Sequence, residues 1–331
     1  MKVAIIGCGL IGRKRAHALE PGDSLIACCD IEKSLADKFS EDYKCKAYYS
    51  AEDLIKNEHP EIVVVAVINK YVLPITISAI ESGSYVLAEK PLGRNAMEAR
   101  EMVRVSQLHE KPIKTGFNHR FHPGIMKAKA YLEEGKIGNL LFIRGRYGHG
   151  SRPGMEKEWR SSKDLCGGGE LLDQGVHLID LSRWFAGDIK SAFGKAKTKF
   201  WPIEVEDNAF ILLESESGID MQLQVSWTNW KNIFSMELFG SNGYLRIEGL
   251  GGSYGPETLE LGLRKPEGGK PDIEFFQFPP EDISWNMEWA EFKQAIHEKR
   301  QPIGNGNDGL KANEIIEAVY RSSTTKQIQL L

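Results

Sequence analysis

Apolar residues in the first third of the chain come in short unbroken runs, and amphipathic segments separate them. Lys2–Ile6, Leu25–Cys29, Ile62–Ile68, Tyr85–Ala88 and Ile113–Phe117 read as strands. The run at 62–68 is apolar at every position, as expected of a parallel strand covered on both faces. Between these runs, Ile11–Leu19, Glu32–Phe39, Ala51–Asn57, Val72–Ser82 and Asn95–His109 carry helical spacing. Strand-helix alternation of this kind predicts an α/β fold with a doubly wound parallel sheet, the Rossmann arrangement.

The rhythm changes near residue 120. Gly124–Glu133 reads as a helix, Leu140–Tyr147 as a strand, and Gly148–Gly169 as a loop rich in Gly, Arg and Lys. A strongly apolar helix is expected over Leu171–Phe185. Strand-like runs without helices between them then follow: Ala192–Phe200, Asn208–Glu214, Ile219–Trp227, Phe234–Phe239, Tyr244–Ile247, Thr258–Leu263 and Ile273–Phe278. Turn signals such as Ser241-Asn242-Gly243 separate them, which reads as an antiparallel meander. Two helices, Trp285–Lys299 and Leu310–Ser322, close the chain. The pattern predicts two domains, 1–120 and 121–331, the second an α+β domain with a large, open, mainly antiparallel sheet.

Composition narrows the function classes. In 331 residues, 42 Lys and Arg stand against 46 Asp and Glu, a net charge of −4, so no basic footprint for nucleic acid exists. No run approaches the ~18 apolar residues that span a bilayer, so no membrane partner is expected. Five cysteines, two of them adjacent at 28 and 29 and none in a C-x-x-C pair, read as reduced thiols of a cytoplasmic protein.

Candidate chemistry begins at Gly7-Cys8-Gly9-Leu10-Ile11-Gly12, a G-x-G-x-x-G that follows a strand and opens a helix. Gly7 permits the turn, Gly9 admits a pyrophosphate close to the backbone, and Gly12 lets helix and strand pack. Leu10 and Ile11 open the helix whose N–H groups and positive dipole end face the phosphates. Asp30 ends the second strand, 18 residues after Gly12. A carboxylate there accepts hydrogen bonds from ribose hydroxyls and repels a 2′-phosphate, which favours NAD over NADP. A helix N-cap is the competing role for Asp30.

Glu89-Lys90-Pro91 follows the strand Tyr85–Ala88, at the carboxyl end where open sheets bind ligands. Lys90 there can steady an oxygen anion during hydride transfer; an ordinary Glu–Lys surface turn is the alternative. On the expected helix 171–185, Asp173, His177 and Asp180 are spaced four and three apart and share a face. His177 is the natural proton acceptor near neutral pH, with Asp173 to orient it. A hydrogen-bonded core histidine and a metal set of His plus two Asp are the other readings; no metal is expected.

Taken together, Gly7–Gly12, Asn69, Glu89-Lys90-Pro91 and Gly167-Gly168-Gly169…Asp173-x-Gly175-x-His177-x-x-Asp180 resemble the glucose-fructose oxidoreductase/inositol dehydrogenase/MocA family. The resemblance covers essentially the whole chain. It implies an NAD(P)-dependent sugar or polyol dehydrogenase in which Lys90, Asp173 and His177 line the reaction centre. Asn69 carries over from the family's T-P-N-x-x-H turn, whereas the histidine of that turn does not: the segment reads Asn69-Lys70-Tyr71-Val72. Asn118 is expected beside the nicotinamide, and Glu89, Trp159 and Arg160 near the cofactor.

Gly116–Pro123 and Arg146–Gly150 are similar to the branch acting on nucleotide-linked sugars in surface polysaccharide synthesis. Arg146, Arg152, Lys157, Arg160 and Lys163 are then a set able to hold a diphosphate, or a solvated basic loop. Arg120, His149 and Arg152 join Lys90, Asp173 and His177 as expected substrate contacts. The expected reaction moves a hydride between nicotinamide and a secondary hydroxyl of a pyranose. A free polyol or inositol dehydrogenase and a non-catalytic NAD or sugar sensor are the alternatives. An incompletely covered sheet face and the pairing of related enzymes imply a homodimer or homotetramer through the second sheet.

Overall fold

Apolar runs at the centre of the first third become buried parallel strands. The computed structural model describes residues 1–331, and their contacts fall into two compact units. The first comprises Met1–Phe117, Asp164–Gly167 and Trp285–Asn313; the second comprises Asn118–Lys163, Gly168–Ser284 and Glu314–Leu331.

In the first unit, β1 (Lys2–Ile6), β2 (Ser24–Cys29), β3 (Lys46–Tyr48), β4 (Ile62–Val65), β5 (Tyr85–Ala88) and β6 (Ile113–Thr115) form one sheet. Its order is β3-β2-β1-β4-β5-β6, and every pairing is parallel. Strand order reverses beside β1, so the switch point of the sheet lies at the end of β1, where Gly7 follows. β4 is buried at all four positions. It stops at Val65, three residues before its apolar run ends, and Asn69–Tyr71 forms a 3₁₀ turn instead.

Helix Ser284–Glu298 places Trp289 and Phe292 in the same buried cluster as Val3, Ile5, Val64 and Leu87. The first unit therefore draws on chain well beyond residue 120. Its sequence neighbours are the strands of the second sheet, and linear order carries no record of that packing.

In the second unit, β7 (Leu140–Gly148), β8 (Ile189–Lys197), β9 (Asn208–Ser215), β10 (Asp220–Ser226), β11 (Ile233–Gly240), β12 (Gly243–Glu248), β13 (Thr258–Leu263), β14 (Asp272–Gln277) and β15 (Gln329–Leu330) form the larger sheet. Their order is β14-β13-β12-β11-β7-β10-β9-β8-β15. It is not a plain meander, because β7 is inserted between β11 and β10 and runs parallel to β10. Every other pairing is antiparallel. Alternation along β7 puts Ile143, Gly145 and Tyr147 on the buried face and Arg144 and Arg146 on the exposed one.

The expected helix 171–185 is two helices, Glu170–Asp173 and Gly175–Ala186, interrupted at Gln174. The longer one packs on β7 and β10, which explains its apolar composition. No helix is long and apolar enough to cross a membrane.

Candidate functional site

The glycine turn has the geometry its sequence requires. Gly7 adopts φ +102°, and a Cβ there would meet the Ala66 carbonyl oxygen at 2.1 Å. A Cβ on Gly12 would meet the Gly7 carbonyl oxygen at 1.9 Å, so the helix Leu10–His17 lies directly on the turn. Gly9 differs, because a Cβ there would meet nothing within 4 Å. Its backbone is extended, and Leu10 beside it is exposed. A dinucleotide fits this cradle, with the Gly9 side open for a pyrophosphate and the helix N–H groups behind it.

Replacing Gly9 by valine should leave the unfolding temperature near wild type. It should weaken NAD binding by about tenfold or more, roughly 1.4 kcal/mol. Calorimetric titration checks this, and an unchanged affinity would refute the assignment.

Asp30 fastens the turn to the end of β2. Its carboxylate accepts the Cys8 N–H at 2.8 Å and the Glu32 N–H at 3.0 Å. Glu32, rather than Asp30, occupies the N-cap of helix Lys33–Tyr43. Asp30 thus braces the glycine turn against the start of the next helix, and each of its oxygens keeps lone-pair capacity for a further donor.

Glu89 is committed inside the first unit. Arg15 Nε donates to Glu89 Oε1 at 2.6 Å, and Arg15 Nη1 to Glu288 Oε2 at 2.6 Å. Lys114 Nζ meets Glu288 Oε1 at 2.7 Å. Burial alone would push the Glu288 carboxyl up, but Arg15 and Lys114 outweigh it and hold it below its ordinary value. Glu89, expected near the cofactor, therefore has Arg15 as its partner. Its other oxygen lies 3.3 Å from the Lys90 backbone N–H, at the start of the half-buried Lys90. Asn69 likewise donates its amide to the Cys166 carbonyl at 2.8 Å. Together with Lys70–Asp164 and Arg94–Asp164, that bond ties residues 164–167 to the first unit.

The second unit assembles a buried polar cluster around His177. The imidazole is 2% exposed, and the ring of His119 stacks on it at 3.7 Å between centroids and 15° between planes. His119 comes from the 3₁₀ segment Asn118–Phe121. Its Nδ1 lies 3.1 Å from Asn118 Oδ1 and its Nε2 2.9 Å from the Tyr147 hydroxyl. Tyr147 reaches the cluster because it is on the buried face of β7. Burial, reinforced by Tyr254 and Glu170, holds its hydroxyl well above the ordinary tyrosine value, so it remains a donor.

Glu206 sets the approach of the helical segment. Its carboxylate accepts the N–H groups of Gly169 at 3.0 Å and Leu171 at 3.1 Å, and the Tyr320 hydroxyl at 2.8 Å. A Cβ on Gly169 would meet the Glu206 carbonyl oxygen at 1.9 Å, which accounts for that glycine. Burial raises the Glu206 pKa against those hydrogen bonds.

The remaining expected contacts separate. Asp173 pairs with Arg160 at 3.6 Å, and the Arg160 guanidinium lies 4.4 Å over the Trp159 ring. Asp180, three residues after His177 on the same helix, is held bidentately by Arg120 at 2.8 and 2.6 Å, fully buried. Arg120, expected as a substrate contact, is thus the partner of Asp180. No group of three His, Cys, Asp or Glu side chains has ligand geometry. His149 accepts the Ser151 N–H at Nδ1, beside Trp227. Arg152 is exposed and bridged to Glu158 at 2.8 Å. Arg146 projects from the face of β7 opposite Tyr147, so it stands apart from the loop basic set.

Two sequence models of one family match the chain, its NAD-binding Rossmann-fold oxidoreductase domain over residues 1–117 and its C-terminal domain over 125–246. The chain belongs to the Gfo/Idh/MocA family. Its first domain is that of an oxidoreductase family with an NAD-binding Rossmann fold. An inositol 2-dehydrogenase of Salmonella typhimurium is 25% identical across 100% of this chain and 96% of its own length. A D-apiose dehydrogenase of Paraburkholderia graminis is 24% identical across 97% of this chain and 87% of its own. The fold matches that of a levoglucosan dehydrogenase solved with NADH and levoglucosan, with a TM-score of 0.91 at 20% identity, over 100% of this chain and 99% of that one.

Within the family frame, sequence reasoning missed His119, Tyr147, Glu206 and the Arg15–Glu288–Lys114 network. The His119 segment stood out only as part of a resemblance. The others are single polar residues inside strands or helices, or in a loop in the case of Glu206, with no spacing signal.

Proposed function

We propose that the protein oxidises a secondary hydroxyl on the ring of a free sugar or cyclic polyol. The observation that carries this reading is the buried His177 imidazole, fixed by its neighbours on the segment that resembles the family's reaction centre. His177 takes the hydroxyl proton. Lys90 donates a hydrogen bond to the same oxygen and steadies its developing charge. Asp173 and Arg160 form the charged pair next in the chain before His177. NAD, when bound on the Gly7–Gly12 turn, supplies the hydride acceptor. Reversed, the same groups protonate the oxygen of a keto sugar.

Relatives named for inositol, levoglucosan and apiose support a free substrate. So do the ion pairs of Arg152 and Arg160, which neutralise two members of the basic loop. A nucleotide-linked sugar is the second reading, and it rests on Lys157 and Lys163 of that loop. A sensor without turnover would not need Lys90, Asp173 and His177 together. Comparing kcat/KM for inositols, free aldoses and nucleotide-linked sugars tests the choice. A higher value for the nucleotide-linked set would overturn the free-substrate reading.

The same proposal includes a homodimer or homotetramer built on the exposed sheet face. Phe193, Phe210 and Leu212 are exposed there, and Phe142 stacks on Phe239 at 4.6 Å. Sedimentation at micromolar concentration is expected to give a dimer or larger species, and a monomer would contradict it.

A further inference from the structure

We propose that His119 is a positioning residue for His177: an imidazole held neutral and flat against the proton acceptor, fixing its ring plane and confining the pair to a single proton. This rests on the reading of His177 as that acceptor.

The hydrogen-bond chain behind His119 sets its tautomer. The Ser284 hydroxyl donates to Asp282 Oδ1 at 2.5 Å, so its oxygen accepts from Asn118 Nδ2 at 2.9 Å. Asn118 therefore turns its oxygen to His119 Nδ1, and that nitrogen carries the hydrogen. In the neutral ring that the proposal requires, Nε2 accepts from the Tyr147 hydroxyl 2.9 Å away, and Tyr254 is then the donor in the Tyr147–Tyr254 hydrogen bond. Both edges of His119 are engaged by this chain, and its face meets His177.

Stacked rings present π faces, not nitrogen lone pairs, so no proton passes directly between them. The effect is electrostatic and steric. When His177 takes a proton, its imidazolium lies on the face of an uncharged aromatic ring, a favourable arrangement. A second proton on His119 would place two like charges at stacking distance, so the pair titrates as a unit in widely separated steps.

The surrounding groups are themselves paired. Arg120 is bound to Asp180, and His122 faces Glu257 at 3.1 Å and Asp282 at 3.9 Å. β7 contributes Tyr147, the 3₁₀ turn Gly252–Tyr254 contributes Tyr254 against it, and β11 contributes only the apolar Phe234. Burial first, and then the carboxylates of Glu170 and Asp173, raise the pKa of both tyrosines.

The test uses the full chain and two readouts. Histidine-labelled NMR between about pH 5 and 8 follows both imidazoles without any substrate. The stack predicts that one proton enters the pair across that window and that His119 keeps its Nδ1–H tautomer. Independent protonation of both rings in the window would overturn the proposal.

In turnover, His119→Ala should lower kcat by about tenfold or more with the KM for NAD unchanged. His119→Phe keeps a flat neutral ring and should recover much of that loss. Tyr147→Phe removes the donor that holds Nε2 unprotonated, and should move the acid limb of the kcat/KM profile to higher pH. An unshifted limb in folded Tyr147→Phe, or wild-type kcat in His119→Ala, would overturn it. Should His119→Ala fail to fold, the titration and the two phenylalanine variants decide. Absence of turnover in the wild type would count against the proposed function, whereas the titration judges the stack by itself.

Discussion

Replacing Glu288 by alanine is expected to destabilise the first unit by about 3–5 kcal/mol, the loss typical of a buried ion pair robbed of one partner. Glu288 is fully buried and touches two cations, Arg15 at 2.6 Å and Lys114 at 2.7 Å. Without it, Lys114 loses its buried counter-charge and Arg15 keeps only Glu89. The cost comes from desolvated charge left uncompensated, not from lost packing. Glu288→Gln keeps the shape and removes the charge, so it should lose most of the same stability. The sign with pH follows from the lowered pKa of Glu288: its contribution is present above the ordinary carboxyl range and is lost as pH falls through the lower folded value. Thermal unfolding of both variants checks this. A midpoint within a degree or so of wild type would show that the network is not stabilising.

The largest expected effect on activity is at His177. His177→Ala should lower kcat by about 10²–10⁴-fold, the usual contribution of a positioned general base. In the proposed roles His177 acts on the alcohol, and the dinucleotide is held by the Gly7–Gly12 turn. NAD affinity should therefore stay within experimental error of wild type. Lys90→Ala should cost about 10²–10³-fold, as for loss of one donor to a developing oxyanion. Its distinguishing mark is that added alkylamines should restore part of the rate. Near-normal turnover in either variant would remove that residue from the mechanism.

Much of this was legible in the sequence, and for identifiable reasons. Strands buried on both faces need unbroken apolar runs, so β1, β4 and β5 were visible at once. The glycine turn was visible because close approach of backbone to backbone excludes every side chain. β3, Lys-Ala-Tyr, was missed because it is short and half polar. The last turn of helix Lys33–Tyr43 was missed because Ser40, Glu41 and Asp42 carry no apolar signal.

Pairings were harder still. The parallel contact of β7 with β10 is a property of strand order, and no local pattern encodes it. Arg15, Lys114 and Glu288 lie as much as 273 residues apart, so each looks like an ordinary charge in its own segment, and Glu89 stood out only through its place in Glu89-Lys90-Pro91. The spacing of Asp173, His177 and Asp180 suggested one shared face. The break at Gln174 separates Asp173 from the other two, Arg120 takes Asp180, and His119 and Tyr147, which no spacing pointed to, join His177.

The most direct measurement follows deuterium placed on the carbinol carbon of the ring alcohol that the wild-type protein turns over best. With NAD in excess, a single turnover should yield NADH carrying the label, and it should proceed more slowly than with the unlabelled alcohol. Unlabelled NADH, or no NADH from any inositol, free aldose or nucleotide-linked sugar, would contradict the account.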